Sequence, residues 1–149
     1  TATTAGLLLC SSVALGKTAS STMHVSLEVE SSCTFSSDDL DFGSHSTNTI
    51  TELKANTLLH VTCSKGTSYA VGTTATALEL THNVSDKVAY KLFSDSAETI
   101  EFNSTKPLAA ALGTGNENKI PLFGVIAASA LSSVPAGSYS QDIALTVTY

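Results

Sequence analysis

The sequence of 149 residues predicts an all-β domain. More closely, it predicts an incomplete immunoglobulin-like β-sandwich that lacks its last strand and is completed by a donor strand in trans. Three observations carry this. Thr, Ser, Ala and Val are abundant and only 13% of residues are charged, a mixture that suits half-buried strands better than helices. From Cys33 onward, seven or so short apolar runs are separated by regular turn residues, the pattern of a sandwich. Finally, an alternating apolar strand stands at each end of the chain, and neither has an evident neighbour.

The first nineteen residues differ in composition from the rest. A short apolar stretch, Ala5 to Leu15, is followed by small residues. It is too short to cross a bilayer as a helix and has the apolar and cleavage regions of a secretory signal, with cleavage expected after Ala19 or Ser20. Residues 1–19 are therefore expected to be a signal-peptide remnant; the alternative is an ordered N-terminal strand or helix. Leu9 before Cys10 is too large for lipoprotein cleavage, so no lipid anchor is expected.

Three cysteines are an odd count for an exported protein. Removal of residues 1–19 would take Cys10 away and leave Cys33 and Cys63 as a pair. A bridge between them would close a loop of about thirty residues and stabilise the fold by roughly 3–4 kcal/mol. Two free buried thiols would instead suit a reducing compartment, which the N-terminus argues against. No metal is expected, because the cysteines and His24, His45, His60 and His82 show no ligand spacing.

Residues 20–32 form a segment of their own, and STMHVSLEVESSC runs from Ser21 through it to Cys33. Met23, Val25, Leu27 and Val29 fall on one face, with His24, Ser26, Glu28 and Glu30 opposite. The body, residues 33–149, follows. SSDDLDFGSHS is a turn-rich acidic stretch around Leu40 and Phe42. ANTLLHVTCSKG and TSYAVGTT are strands, and ALELTHN is a short third. DKVAYKLFSD places Val88, Tyr90 and Leu92 on one face, and ETIEFNS is brief. Pro107 to Leu112 is expected to be a loop or one helical turn. NKIPLFGVIAAS is a strongly apolar strand whose Pro121 suggests an edge or a bulge. VPAGSYSQDIALTVTY opens on a turn and ends as a strand, with Ile143, Leu145, Val147 and Tyr149 on one face.

A complete sandwich would add one more strand beside this last one, since an unpaired apolar strand is an aggregation hazard. The segment around Met23–Val29 has the required pattern. Only Ser31 and Ser32 separate it from Cys33, however, and two extended residues span about 7 Å, less than the roughly 10 Å between packed sheets. Pairing is therefore expected with another copy of the chain.

Several function classes are excluded by what the sequence lacks. A net charge of −6, with seven Lys and no Arg, provides no footprint for nucleic acid or anionic membranes. No Gly-x-Ser-x-Gly, paired His or phosphate loop occurs, and GTGNEN (113–118) has no strand-to-helix context; neither enzyme activity nor a cofactor is expected. Asp38, Asp39 and Asp41 match no complete Ca²⁺ loop and read as a solvated turn. Asn83-Val84-Ser85 and Asn103-Ser104-Thr105 fit glycosylation sequons but read as exposed turns.

From about residue 23 onward the chain resembles pilins of the archaic chaperone–usher class, the spore-coat-U-like family of Csu-type pili. SCTF, LDFG, VTCSKG, VAYKLFSD, IPLFGVI and VPAGSYSQDIALTVTY carry the resemblance. The last of these is the most specific, and the plain SAETIEFNS departs from the aromatic-rich turn of the family. The resemblance implies a major shaft subunit that polymerises head-to-tail by donor-strand complementation into an adhesive surface pilus. Met23, Val25, Leu27 and Val29 would be donor plugs; Ile143, Leu145, Val147 and Tyr149 would line the acceptor groove. The implied partners are other copies of the chain, a periplasmic chaperone and an outer-membrane usher, with no direct membrane insertion. Export through the periplasm to the bacterial surface follows. A tip adhesin binding a surface or glycan, or a secreted coat protein, are the alternatives.

Overall fold

The computed structural model describes Gly6 and residues 16–149. Most of the expected signal remnant, with Cys10, lies outside the described residues. Residues 16–32 are exposed and belong to no strand; regular structure among the described residues begins at Cys33.

Ten strands are found there. β1 (Cys33–Ser37), β2 (Leu53–Cys63), β9 (Glu117–Ile126), β6 (Lys91–Phe93) and β7 (Glu101–Phe102) form a five-stranded antiparallel sheet in that spatial order. β10 (Leu145–Thr148), β3 (Ser68–Thr73) and β8 (Ala111–Leu112) form a second sheet. β4 (Glu79–Thr81) and β5 (Lys87–Ala89) make a small hairpin, to which Ser140 adds a bridge at Thr81. Leu59, Val61 and Leu122 of the first sheet share one buried cluster with Tyr69 and Val71 of the second and with Val88 of the hairpin. The period-two pattern is visible in the burial itself: Leu59, Val61 and Cys63 point in, while His60 and Thr62 point out.

A disulfide joins Cys33 to Cys63 directly across the β1–β2 ladder. It cross-links residues 30 apart in sequence. The end of β2 is further held by the GTGNEN loop. Gly113 accepts from Gly66 N and donates to Thr67 O, and Gly115 N donates to the Cys63 carbonyl at 2.9 Å. That contact requires Gly115 at φ +83°, where a side chain would be strained.

The stretch LDFG is a plug. Asp41 Oδ1 accepts from Gly43 N at 2.8 Å, and Gly43 turns the chain at φ +79°. Leu40 and Phe42 then lie on Gly124 of β9, where an added Cβ would stand 2.7 Å from Leu40 Cδ2 and 2.8 Å from Phe42 Cζ. Phe42 also meets Tyr90 edge to face, with centroids 6.2 Å apart. The glycine in IPLFGVI is thus the seat for LDFG.

Three expectations change. DKVAYKLFSD is two strands, because the chain changes partner at Tyr90: its N–H donates to Leu78 O in continuation of the β4–β5 register, while Lys91 already pairs with Val125 of β9. Residues 111 and 112 form β8 instead of a loop or helical turn, since their backbone pairs with Ser68 and Tyr69. Pro121 lies in β9, an interior strand of its sheet. It is tolerated there because β6 pairs with β9 only over residues 123–125, so opposite Pro121 the strand is flanked by β2 alone.

Replacing Gly124 with Val should force Leu40 and Phe42 off their seat and cost about 1–3 kcal/mol, read as a lower urea midpoint with unchanged slope. A midpoint equal to that of the parent chain would show that the plug is not packed there.

Candidate assembly site: an unpaired edge strand and an exposed apolar segment

β10 pairs with β3 in a fixed register, Leu145 opposite Thr73 and Val147 opposite Val71. Its other edge has no partner strand among the described residues. Leu145 and Val147 are half-buried and pack against the core, as does Ile143 just before the strand. Tyr149, the fourth residue of this alternation, lies beyond β10 and is 61% exposed. The structure therefore places two of the four expected acceptor residues on the core side of a strand with an open backbone edge, and a third, Ile143, against the core just before it.

The expected donor residues form a row of exposed apolar groups. Met23, Val25, Leu27 and Val29 are 83%, 80%, 87% and 80% exposed. Within the chain, none of residues 16–32 pairs with β10. Ser32, at the end of the segment, is held by Ser64, whose N–H donates to its carbonyl at 2.8 Å.

The approach to β10 is fixed by a polar cluster that no sequence pattern singles out. Gln141 Oε1 accepts from Glu79 N at 2.9 Å and from the Tyr90 hydroxyl at 2.9 Å. Its Nε2 donates to Ala77 O at 2.8 Å. Burial of Tyr90 pushes its hydroxyl above the ordinary tyrosine range. Two residues earlier, Tyr139 donates to Pro135 O at 2.7 Å and its ring lies 5.3 Å from that of His82. Gly137 sits under His82, where a Cβ would come within 2.6 Å of the ring. A Gln in an otherwise polar run carries no periodic signal; only the neighbouring Tyr139 and Gly137 mark the stretch as unusual. The closing motif SYSQ thus acts as an anchor ahead of the strand.

On the outer face of the other sheet, His60 stands between two carboxylates. Its ring nitrogens are 3.1 Å from Asp38 Oδ2 and 3.1 Å from Glu117 Oε1, with Lys119 opposite it in the ladder. The hydrogen bond to Asp38 is the main cause that raises the pKa of His60 above its ordinary value, with Glu117 adding to it. Asp38 is therefore engaged with His60, and Asp41 with Gly43. No group of three or more ligating side chains could hold a metal among the described residues. Among them no helix is long and apolar enough to cross a membrane. Asn83 and Asn103 use their side-chain carbonyls to accept from Ser85 N and Thr105 N, both at 3.0 Å, which closes tight turns at the two sequons.

Residues 19–148 match the family described as the Spore Coat Protein U domain. The chain belongs to this family. No curated protein matches it. Its fold is similar to a chain in the complex of the CsuC chaperone with the CsuE tip adhesion subunit, from archaic chaperone–usher Csu pili of Acinetobacter baumannii. The TM-score is 0.60 at 16% identity, over 81% of this chain and 40% of that one. This Spore Coat Protein U domain therefore spans well under half of that matched chain. It is also similar to the P pilus rod subunit PapA, with a TM-score of 0.52 at 18% identity over 78% of this chain and 98% of that one. The likeness establishes the fold expected from the sequence, an immunoglobulin-like sandwich of the kind found in pilus subunits.

Because its folded pKa is raised, His60 stabilises the fold below about pH 6.5, the ordinary histidine value. That contribution is lost as pH rises through the folded value. His60→Gln should remove this part of the pH dependence, seen as a flatter plot of melting temperature against pH. Parallel profiles for the two proteins would contradict it.

Proposed function

We propose that this protein is the major shaft subunit of a surface pilus, polymerised head-to-tail by donor-strand complementation for attachment and biofilm formation. One observation carries the reading: the same chain bears an exposed, alternating apolar segment at Met23, Val25, Leu27 and Val29 and an open strand edge at β10. In the proposed assembly, residues 20–32 of one copy lie along β10 of the next. Backbone pairing supplies affinity and alternate side chains enter sites beside Ile143, Leu145, Val147 and Tyr149. Burying four such side chains is worth roughly 6–12 kcal/mol at 1.5–3 each. No nucleotide is needed, because the driving force is completion of the fold. The contact is head-to-tail and does not close on itself, so it builds a filament.

Family membership and the likeness to pilus subunits support a structural role in place of an enzymatic one. By the same analogy, residues 1–19 direct export, a periplasmic chaperone covers the β10 edge before assembly, and an outer-membrane usher exchanges it for the donor. One of the similar structures is a complex containing a tip adhesion subunit, which keeps a tip position as the second reading. The donor segment favours the shaft, since a terminal subunit has no use for one. A secreted coat protein built on the same pairing is the remaining alternative.

Leu27→Asp places a charge at the centre of the donor and should abolish filaments while the chaperone-bound monomer still folds, as read by negative-stain microscopy and size exclusion. Filaments of normal length would remove the donor assignment. Mass spectrometry of the exported protein should find a start near Ser20; an intact residue 1 would contradict the leader.

A further inference from the structure

The alternation that suits β10 to pairing leaves its register undetermined. Ile143, Leu145, Val147 and Tyr149 recur at period two, with Ala144, Thr146 and Thr148 between them. A slip of one residue would turn the apolar set to solvent, but a slip of two would keep every apolar side chain facing in. The ladder to β3 does not discriminate, since backbone groups are alike at each step. Nor does Thr73, whose hydroxyl donates to the Ala144 carbonyl at 2.7 Å; after a two-residue slip another carbonyl would take that place.

Two contacts do depend on side-chain identity. Gln141 satisfies Glu79 N, Tyr90 Oη and Ala77 O together, a set that needs both an amide carbonyl and an amide N–H in one place. A slip that brings Thr146 opposite Ala70 would put Tyr139 in that place and Pro135 under His82, where only Gly137 fits. The opposite slip would put Ile143 at the Gln141 position and Tyr139 under His82. Either way, buried Tyr90, half-buried Glu79 and exposed Ala77 lose their shared partner, and a ring meets a side chain.

We propose that Gln141, seconded by Gly137 beneath His82, is the register lock of the C-terminal strand, a positioning residue that decides where along β10 the acceptor sites stand. The consequence for assembly rests on the donor-strand reading above; the lock itself does not. The donor alternation of Met23, Val25, Leu27 and Val29 is degenerate in the same way, so a fixed β10 is what gives it a unique seat.

Cysteine trapping in the full chain separates the two registers. Ala70→Cys with Thr148→Cys reports the observed register, and Ala70→Cys with Thr146→Cys reports the slipped one. In the parent background only the first pair should cross-link on mild oxidation. With Gln141→Leu, the ratio of slipped to observed cross-link should rise about tenfold, as expected when two or so buried hydrogen bonds no longer discriminate. If Gln141→Leu does not fold, Gln141→Glu retains the acceptor and loses the donor to Ala77 O, and should raise the ratio in the same direction. Cross-linking confined to the first pair in whichever variant folds overturns the proposal. Filament formation plays no part in this readout, so failure of the donor assignment would leave it unaffected.

Discussion

The backbone edge of β10 that faces away from β3 is the constraint on which the rest of the molecule depends. Peptide N–H and C=O groups left in an apolar setting cost free energy until they are paired. Proteins usually blunt such edges by shortening, charging or covering them. Three other edges follow that rule: β7 and β8 are two residues each, and the β4 edge of the hairpin is bridged by Ser140. β10 alternates half-buried Leu145 and Val147 with exposed Thr146 and Thr148, and among the described residues it has no strand on one side. An edge with this composition is a template for strand addition.

Its surroundings are fully satisfied by comparison. No buried side-chain polar atom lacks a partner among the described residues. The Cys33–Cys63 bridge, the glycine loop at its end and the LDFG plug on Gly124 tie the five-stranded sheet together. The open edge is therefore a local feature of a well-packed sandwich and not a sign of a poorly formed one. A rigid frame matters for strand addition, since an incoming strand gains most when the site it enters need not be ordered first.

The parts of this arrangement that obey a period were legible in the sequence. Alternation identified β2, β3, β9 and β10 and the exposed stripe Met23–Val29, and cysteine arithmetic paired Cys33 with Cys63. What escaped was set by single contacts with no period. Tyr90 looks like one more inward residue of a strand, yet it is the last to follow the β4–β5 register, through Leu78, before the chain changes over to β9. Ala111 and Leu112 have no strand signature of their own and are recruited by Ser68 and Tyr69. Pro121 obeys the rule that Pro avoids paired strand interiors, but through a missing stretch of β6 that no sequence pattern announces. Gln141 is the clearest case: a polar residue among Ser, Tyr and Asp reads as surface until its three partners, remote in sequence, are seen together.

Electrostatics narrows what can drive the proposed assembly. Each chain carries a net charge of −6, and the donor segment adds Glu28 and Glu30 on the face opposite its apolar stripe. Copies therefore repel at long range, and the seven scattered Lys form no basic cluster in the sequence to steer one copy onto another. At physiological ionic strength that repulsion is screened beyond about 8 Å, so it slows encounter more than it opposes the final contact. The attraction must then be short-ranged: apolar side chains leaving water and a ladder of backbone hydrogen bonds closing along β10. Such forces are strong once the strand is seated and weak at a distance, and they act between any two alternating strands. For a chain that carries both halves of the contact, specificity cannot come from charge. It has to come from shape and register at the acceptor, which is where the polar anchor at Gln141 and the absent side chain at Gly137 are found.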